Sequence, residues 1–172
     1  ENLRKCEAIF KNGSPLGEVK AVHIWTNRPI WPQGKVEVKE EPVPANVHGD
    51  LFLGPAKKRP YSPAYHPFKW RGFWDFGTGA LGDMACHTVN TPFACLNLRD
   101  PVSVVAQTAG HDKVTYPGWS IIDFEFPALG NRGPLKMTWY DGGKLPPAEL
   151  FEGTDPPRVR SSGAILVGDK GT

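Results

Sequence analysis

Residues 120–128, SIIDFEFPA, decide the fold that this sequence predicts. Ile122, Phe124 and Phe126 alternate there with a second set of positions that includes two acidic residues. Such alternation is typical of a β-strand that covers a core with one face and meets solvent with the other. The stretch therefore predicts a half-buried strand, and the neighbouring segments indicate what kind of sheet it joins.

Three more stretches predict strands. VSVVAQTAG at 102–110 and LKMTWYDGG at 135–143 lie on either side of the first stretch. EVKAVHIWT at 18–26 has apolar side chains on both faces, as in a strand that is covered from two sides. A last apolar run, AILVGDKGT at 164–172, ends the sequence inside a strand or just past a turn.

Two segments have the period of a helix. Residues 2–11 place apolar side chains on one helical face, and residues 80–98 show the same pattern until Pro92 interrupts it. At Pro92 either one helix kinks, or a second helix begins with Asn90 or Thr91 as its cap and with this proline in its first turn. Helices followed by consecutive strands predict an α+β fold with a largely antiparallel sheet.

Length and composition limit the class of protein. A chain of 172 residues with 40% hydrophobic content fits one globular domain. Its net charge of +2 provides no electrostatic footprint for nucleic acid, and no apolar run approaches the roughly 20 residues that span a bilayer. Three cysteines without a C-x-x-C pair predict reduced thiols rather than a disulfide framework.

A dense aromatic cluster, HPFKWRGFWDF at 66–76, ends a long and proline-rich segment that begins at residue 27. A segment of this length without a clear period is usually functional or wraps another surface. Aromatic faces beside the cations of Lys69 and Arg71 suit a sugar-like polyol, whereas the same rings could instead pin the loop to the core. Both interpretations stay open from the sequence.

GTGALGDMACH at 77–87 places an acid and a histidine four residues apart, at Asp83 and His87. On a helix these two residues share one face, about one turn apart. His87 could take a proton from a hydroxyl while Asp83 orients it. Alternatively, Asp83 caps the helix and His87 packs in the core. The spacing alone leaves both hypotheses open.

Two other uses of this motif find little support in the sequence. A metal site needs a third ligand, and no other histidine stands at ligand spacing from His87. The glycines of GTGALG have the G-x-G-x-x-G spacing, but no predicted strand precedes them as in a dinucleotide-binding unit. We therefore predict no metal site, and we interpret the glycines as the close approach of another segment or of a ligand.

Taken together, these segments resemble the Gfo/Idh/MocA oxidoreductase family. The resemblance rests on GEVKAVHIWTNRPIWPQG at 17–34, PAYHPFKWRGFWDFGTGALGDMACHTVN at 63–90 and KMTWYDGG at 136–143, and it extends over about 1–172. More narrowly, they look like the bacterial branch with a long aromatic insert in its C-terminal domain. Where many members have an Asp three residues after the histidine, this sequence has Asn90.

The resemblance implies that residues 1–172 form a single C-terminal domain for substrate binding and oligomerisation, truncated at both ends. Members of the family also carry a Rossmann domain that binds NAD or NADP and supplies a catalytic lysine, and this domain is missing from the sequence. The implied fold is a largely antiparallel or mixed open β-sheet with helices packed on one face. The chain alone is not expected to turn over substrate.

The resemblance also assigns roles to residues around the motif. It implies His87 as the acid/base at the hydroxyl that is oxidised, with Asp83 as its orienter or as a substrate contact. The other implied site residues are substrate contacts at Lys69, Trp70, Arg71, Trp74 and Asn90, and positions close to the cofactor at Gly77 and Gly79.

The implied function is the NAD(P)-dependent oxidation of a hydroxyl group of a sugar or polyol. Two alternatives stay open: a glycosidase of the same family that uses NAD transiently, and a non-catalytic module that binds carbohydrate or pairs subunits. We expect a homo-oligomer formed through the sheet face, with neither a nucleic-acid nor a membrane partner. A cytoplasmic location is expected, and periplasmic export stays open because the sequence begins without a methionine.

Overall fold

The structure is a computed structural model that describes residues 1–110, 112–151, 155 and 161–172. Its strands are β1 (Val19–Trp25), β2 (Ser103–Thr108), β3 (Ser120–Phe126), β4 (Leu135–Tyr140) and β5 (Gly163–Gly168). Its helices are α1 (Asn2–Lys11), α2 (Gly49–Leu53), α3 (Gly79–Thr88) and α4 (Asn90–Leu96), with short 3₁₀ turns at Lys69–Gly72 and Ala148–Phe151.

The strands form one sheet in the order β2–β3–β4–β1–β5. β2, β3 and β4 follow one another in sequence and pair antiparallel, and β5 pairs antiparallel with β1. β1 and β4 run parallel, with His23 opposite Thr138, so the sheet is mixed. The predicted α+β fold with a largely antiparallel or mixed open sheet is confirmed.

The core lies between the sheet and helices α1, α3 and α4. Alternate residues of the strands point towards these helices, among them Val22, Phe126 and the fully buried Trp139. Leu96 of α4 and Met84 of α3 pack against them. Burying an aliphatic or aromatic side chain in this way contributes about 1.5–3 kcal/mol, so the alternation in the strands is what holds the helices on one face.

Helix α4 begins where Pro92 interrupts the helical pattern. Pro92 is in the first turn of α4, where a missing N–H removes no helical hydrogen bond. The structure therefore shows the second of the two interpretations of this proline, but the cap of α4 is Val89 rather than the predicted Asn90 or Thr91. In the part of the chain that the structure describes, no helix is long and apolar enough to cross a membrane.

The other face of the sheet carries a polar network at its centre. Thr138 donates a hydrogen bond to Asp123, and Lys136 pairs with the same carboxylate at 2.8 Å. Nδ1 of His23 and the hydroxyl of Tyr140 are hydrogen-bonded at 3.0 Å. Burial and then Lys136 lower the pKa of His23, against the opposing effect of Asp123. We expect oligomerisation through this face, and that expectation stays a prediction.

Candidate functional site

The segment that leads into α3 packs closely against other parts of the chain. The 3₁₀ turn at Lys69–Gly72 lies against α3. A Cβ on Gly77 would collide with the backbone of Arg71, and one on Gly79 would stand 2.7 Å from the ring of Tyr116. Gly79 also has φ +62°, a left-handed value that side chains rarely adopt. The glycines thus allow segments of this chain to meet, and their closeness to a cofactor stays a prediction.

Asp83 is held by Arg71 rather than by His87. Nε of Arg71 donates to Oδ1 of Asp83 at 3.2 Å, and the two side chains are 29% and 28% exposed. Arg71 also donates to the carbonyl of Phe68 at 3.2 Å and lies over the rings of Trp70 and Phe68, 4.5 and 4.8 Å from their centroids. A guanidinium fixed by these contacts sets the direction of the Asp83 carboxylate.

Asp83, His87 and Asn90 form a stripe along the outer side of α3 and the start of α4, which we call the outer stripe. His87 and Asn90 are exposed, whereas Met84 on the inner side of α3 packs against the core. The residue before α3 is Thr78, so Asp83 is not its cap. The hypothesis of a capping Asp83 and a core-packed His87 is therefore wrong, while their acid/base role stays a prediction.

The aromatic cluster at 66–76 divides between two uses. Phe73 is fully buried and packs among neighbouring rings, so it fixes the loop to the protein. Trp74 is 47% exposed and stacks on Tyr116, with ring centroids 3.7 Å apart. Lys69 is exposed as well. Pinning of the loop accounts for Phe73, and substrate contacts at Trp74 and Lys69 stay predictions.

A cavity of about 310 Å³ opens at the start of α3, between this helix and strands β2 and β3. Trp74 and Tyr116 form part of its wall. Polar side chains in the lining belong to Gln33, Thr78, Thr108, Ser120 and Asp141. Among the lining residues the sequence indicated Trp74 as a site residue, whereas Tyr116 lies in a segment without a recognisable pattern. One sequence feature could have indicated Asp141, because this acid stands directly between a predicted strand and two glycines.

Asp141 is a buried carboxylate beside this cavity. Its Oδ1 accepts a hydrogen bond from the backbone N–H of Ser120 at 2.6 Å, and its Oδ2 accepts one from the indole N–H of Trp139 at 2.8 Å. Burial raises the pKa of Asp141 from 3.8 to about 6, against the opposing effect of these hydrogen bonds. The charged form is thus disfavoured in the folded chain, and this couples folding to pH.

We expect the titration of Asp141 to lower the free energy of unfolding by up to about 3 kcal/mol as the pH rises from about 4 to about 7. The pKa is higher in the folded than in the unfolded chain, so the folded state binds the extra proton and is favoured at the low end of this window. Denaturant unfolding at several pH values measures the effect. In the Asp141→Asn variant the free energy of unfolding should change much less over this pH range. Equal pH dependence in the variant and the wild type would contradict the prediction.

The described ranges of the chain contain no group of three His, Cys, Asp or Glu side chains that could hold a metal ion. The three cysteines, Cys6, Cys86 and Cys95, are free thiols. Cys86 is exposed beside His87, but its thiol lies 3.6 Å from the carbonyl of Asp83, one turn back along α3. The outer stripe is thus an acid, an imidazole and an amide, a set suited to proton transfer and hydrogen bonding.

Comparison with protein-family models decides the family. The model for the oxidoreductase family, C-terminal alpha/beta domain, of the Gfo/Idh/MocA type, matches residues 12–129. The chain belongs to the Gfo/Idh/MocA oxidoreductase family. The matched residues include β1, β2 and β3 as well as α3 and α4 with the outer stripe. No curated protein matched the chain.

The Gfo/Idh/MocA family uses NAD(P), which its Rossmann domain binds. In this Gfo/Idh/MocA domain the three glycines at 77, 79 and 82 all face atoms of the chain itself, because a Cβ on Gly82 would collide with the side chain of Thr78. They also follow a loop rather than a strand of the sheet. The glycines therefore do not fit a pyrophosphate-binding turn.

Proposed function

We propose that this domain binds the substrate of an NAD(P)-dependent oxidoreductase that oxidises a hydroxyl group of a sugar or polyol, with His87 as the acid/base. The observation that carries the proposal is the outer stripe, where exposed His87 stands about one helical turn from the Asp83–Arg71 pair. A histidine titrates near neutral pH and can accept the proton of an alcohol. Membership of an oxidoreductase family supports the redox chemistry.

The residues of the outer stripe have different tasks at the substrate. His87 takes the proton of the reacting hydroxyl, and a nicotinamide held by the Rossmann domain would accept the hydride from the carbon that bears this hydroxyl. Asp83 accepts a hydrogen bond from a further hydroxyl through Oδ2, because Arg71 occupies Oδ1. Asn90 lies one turn beyond His87 and offers a donor and an acceptor without charge. Together they orient a ligand rich in hydroxyl groups.

We also assign the chain to the bacterial branch of the family with a long aromatic insert. The support is a connected group of rings in the segment that precedes α3. Neighbouring centroids in this group lie 5.0–6.4 Å apart, among Phe52, Tyr61, Tyr65, His66 and Phe76. Such packing gives order to a segment that has little regular secondary structure of its own.

The test is a redox assay on the intact protein encoded by the parent gene. We expect at least one of a panel of sugars and inositols to reduce NAD⁺ or NADP⁺ continuously, which the absorbance of the reduced nicotinamide measures. Cleavage of a glycoside without net nicotinamide reduction would replace the proposal with the family's glycosidase chemistry. Sugar binding with neither reaction would instead indicate a non-catalytic module.

A further inference from the structure

The cavity at the start of α3 contains a preformed aromatic platform. Tyr116 supports Trp74 from one side, and its hydroxyl donates to the carbonyl of Gly77 at 3.2 Å. Trp74 nevertheless keeps 47% of its surface exposed. Because the indole is already held in place, a ligand ring that packs on it does not have to order a mobile side chain. The C–H face of a sugar ring is a suitable partner for such an indole.

The remaining lining of the cavity is mixed, because apolar side chains such as Leu81 and Ile122 alternate with several polar ones, and it carries little charge. Hydroxyl groups of Thr78, Thr108 and Ser120 border it, and each can both donate and accept hydrogen bonds. The carboxylate of Asp141 also borders it, but this residue is 2% exposed and already accepts two hydrogen bonds. The described lining contains no lysine or arginine. The cavity thus suits a neutral, hydroxyl-bearing ring rather than a phosphate or a carboxylate.

The size and position of the cavity separate it from His87. A volume of about 310 Å³ is near the lower end of the roughly 300–1,000 Å³ of small-molecule sites, so it suits a single ring. Ala80 and Leu81, in the lining, precede His87 on α3 by roughly 9–10 Å along the helix axis at ~1.5 Å per residue. A sugar ring that fills the cavity therefore lies nearer the start of α3 than His87 does.

We propose that this cavity is a subsite for a second sugar ring, so that the substrate is a neutral glycoside or oligosaccharide of at least two rings. One ring occupies the cavity against Trp74 while the next ring reaches the outer stripe. The placement of the next ring at the outer stripe rests on the proposed function, because it assumes that the substrate reacts at His87. The affinity of the cavity for a sugar ring does not depend on that function.

Binding is measured on this chain without cofactor, by tryptophan fluorescence and by NMR, with cellobiose and maltose as two-ring probes and methyl glucoside as a one-ring probe. Trp74→Ala should weaken binding about tenfold or more, and Trp74→Phe should retain most of it because a ring remains. Thr108→Val keeps the shape but removes a hydroxyl, with an expected loss of about two- to tenfold. The matched control is Phe93→Ala on α4, which is also 47% exposed and should bind as the wild type does.

Two results would overturn the subsite: no sugar binding that depends on Trp74, or a response that depends on Trp74 but follows nicotinamide mononucleotide instead of sugars. In the intact protein, Trp74→Ala should also raise KM for a two-ring substrate about tenfold or more. If the chain binds sugars through Trp74 but the intact protein reduces no nicotinamide, the subsite stands and the proposed function fails. If turnover depends on His87 but not on Trp74, the proposed function stands and the subsite fails.

Discussion

Replacing His87 with alanine in the intact protein is expected to lower kcat by about 10²–10⁴-fold, with a much smaller change in KM. In the proposed function the imidazole removes the hydroxyl proton as the hydride leaves, so its loss should act on the transition state more than on substrate binding. Its exposed position on α3 means that the substitution leaves the core unchanged. Steady-state kinetics of nicotinamide reduction measure both constants.

The matched control for this variant is His48→Ala. His48 is also an exposed histidine next to a helix, since it precedes the first residue of α2, but it is not in the outer stripe. We expect its kcat to stay within about twofold of wild type, because surface substitutions away from a site have small effects. A wild-type kcat in the His87→Ala protein would contradict the acid/base role of His87, but it would not affect the assignment to the family.

Trp139→Ala is expected to lower the free energy of unfolding by about 3–5 kcal/mol. Trp139 is fully buried at the centre of the sheet, where it stands opposite Ile122 of β3 and Ile24 of β1. The variant loses the packing of the indole and also leaves Oδ2 of Asp141 without its N–H donor. Denaturant unfolding of this chain measures the change.

Two further variants separate these contributions. Trp139→Phe keeps a buried ring but removes the N–H, so it should cost less than the alanine variant and still destabilise by about 1–3 kcal/mol. Ile30→Ala removes an apolar side chain that is 61% exposed, and it should change stability by less than about 0.5 kcal/mol. An alanine variant at Trp139 as stable as the one at Ile30 would contradict the burial of this residue.

Strands were predictable from the sequence because their two faces meet different surroundings. The stretches 120–128 and 135–143 contain the observed β3, Ser120–Phe126, and β4, Leu135–Tyr140. Strand order was not predictable, since alternation specifies which face a side chain joins but not which strand lies alongside. The parallel pairing of β1 with β4, and the position of β1 between β4 and β5, therefore appear only in the structure.

The candidate site shows the same division between local and distant information. Spacing predicted that Asp83 and His87 share a helix, and α3 includes both. It could not predict that Arg71 takes the carboxylate of Asp83, or that Tyr116 packs beneath Gly79, because each contact joins separate segments of the chain. The exposure of His87 was likewise undetermined, since an i,i+4 pair can face either solvent or core.

The position of β1 has a consequence for how the protein is made. Within residues 1–172, β1 is translated well before both of its partners, β4 and β5. During synthesis β1 therefore stays unpaired until β4 and β5 have left the ribosome. In contrast, β2, β3 and β4 can pair with their sequence neighbours as they emerge. The sheet of the nascent domain thus forms late, and we expect the unpaired β1 to be the segment that a chaperone binds.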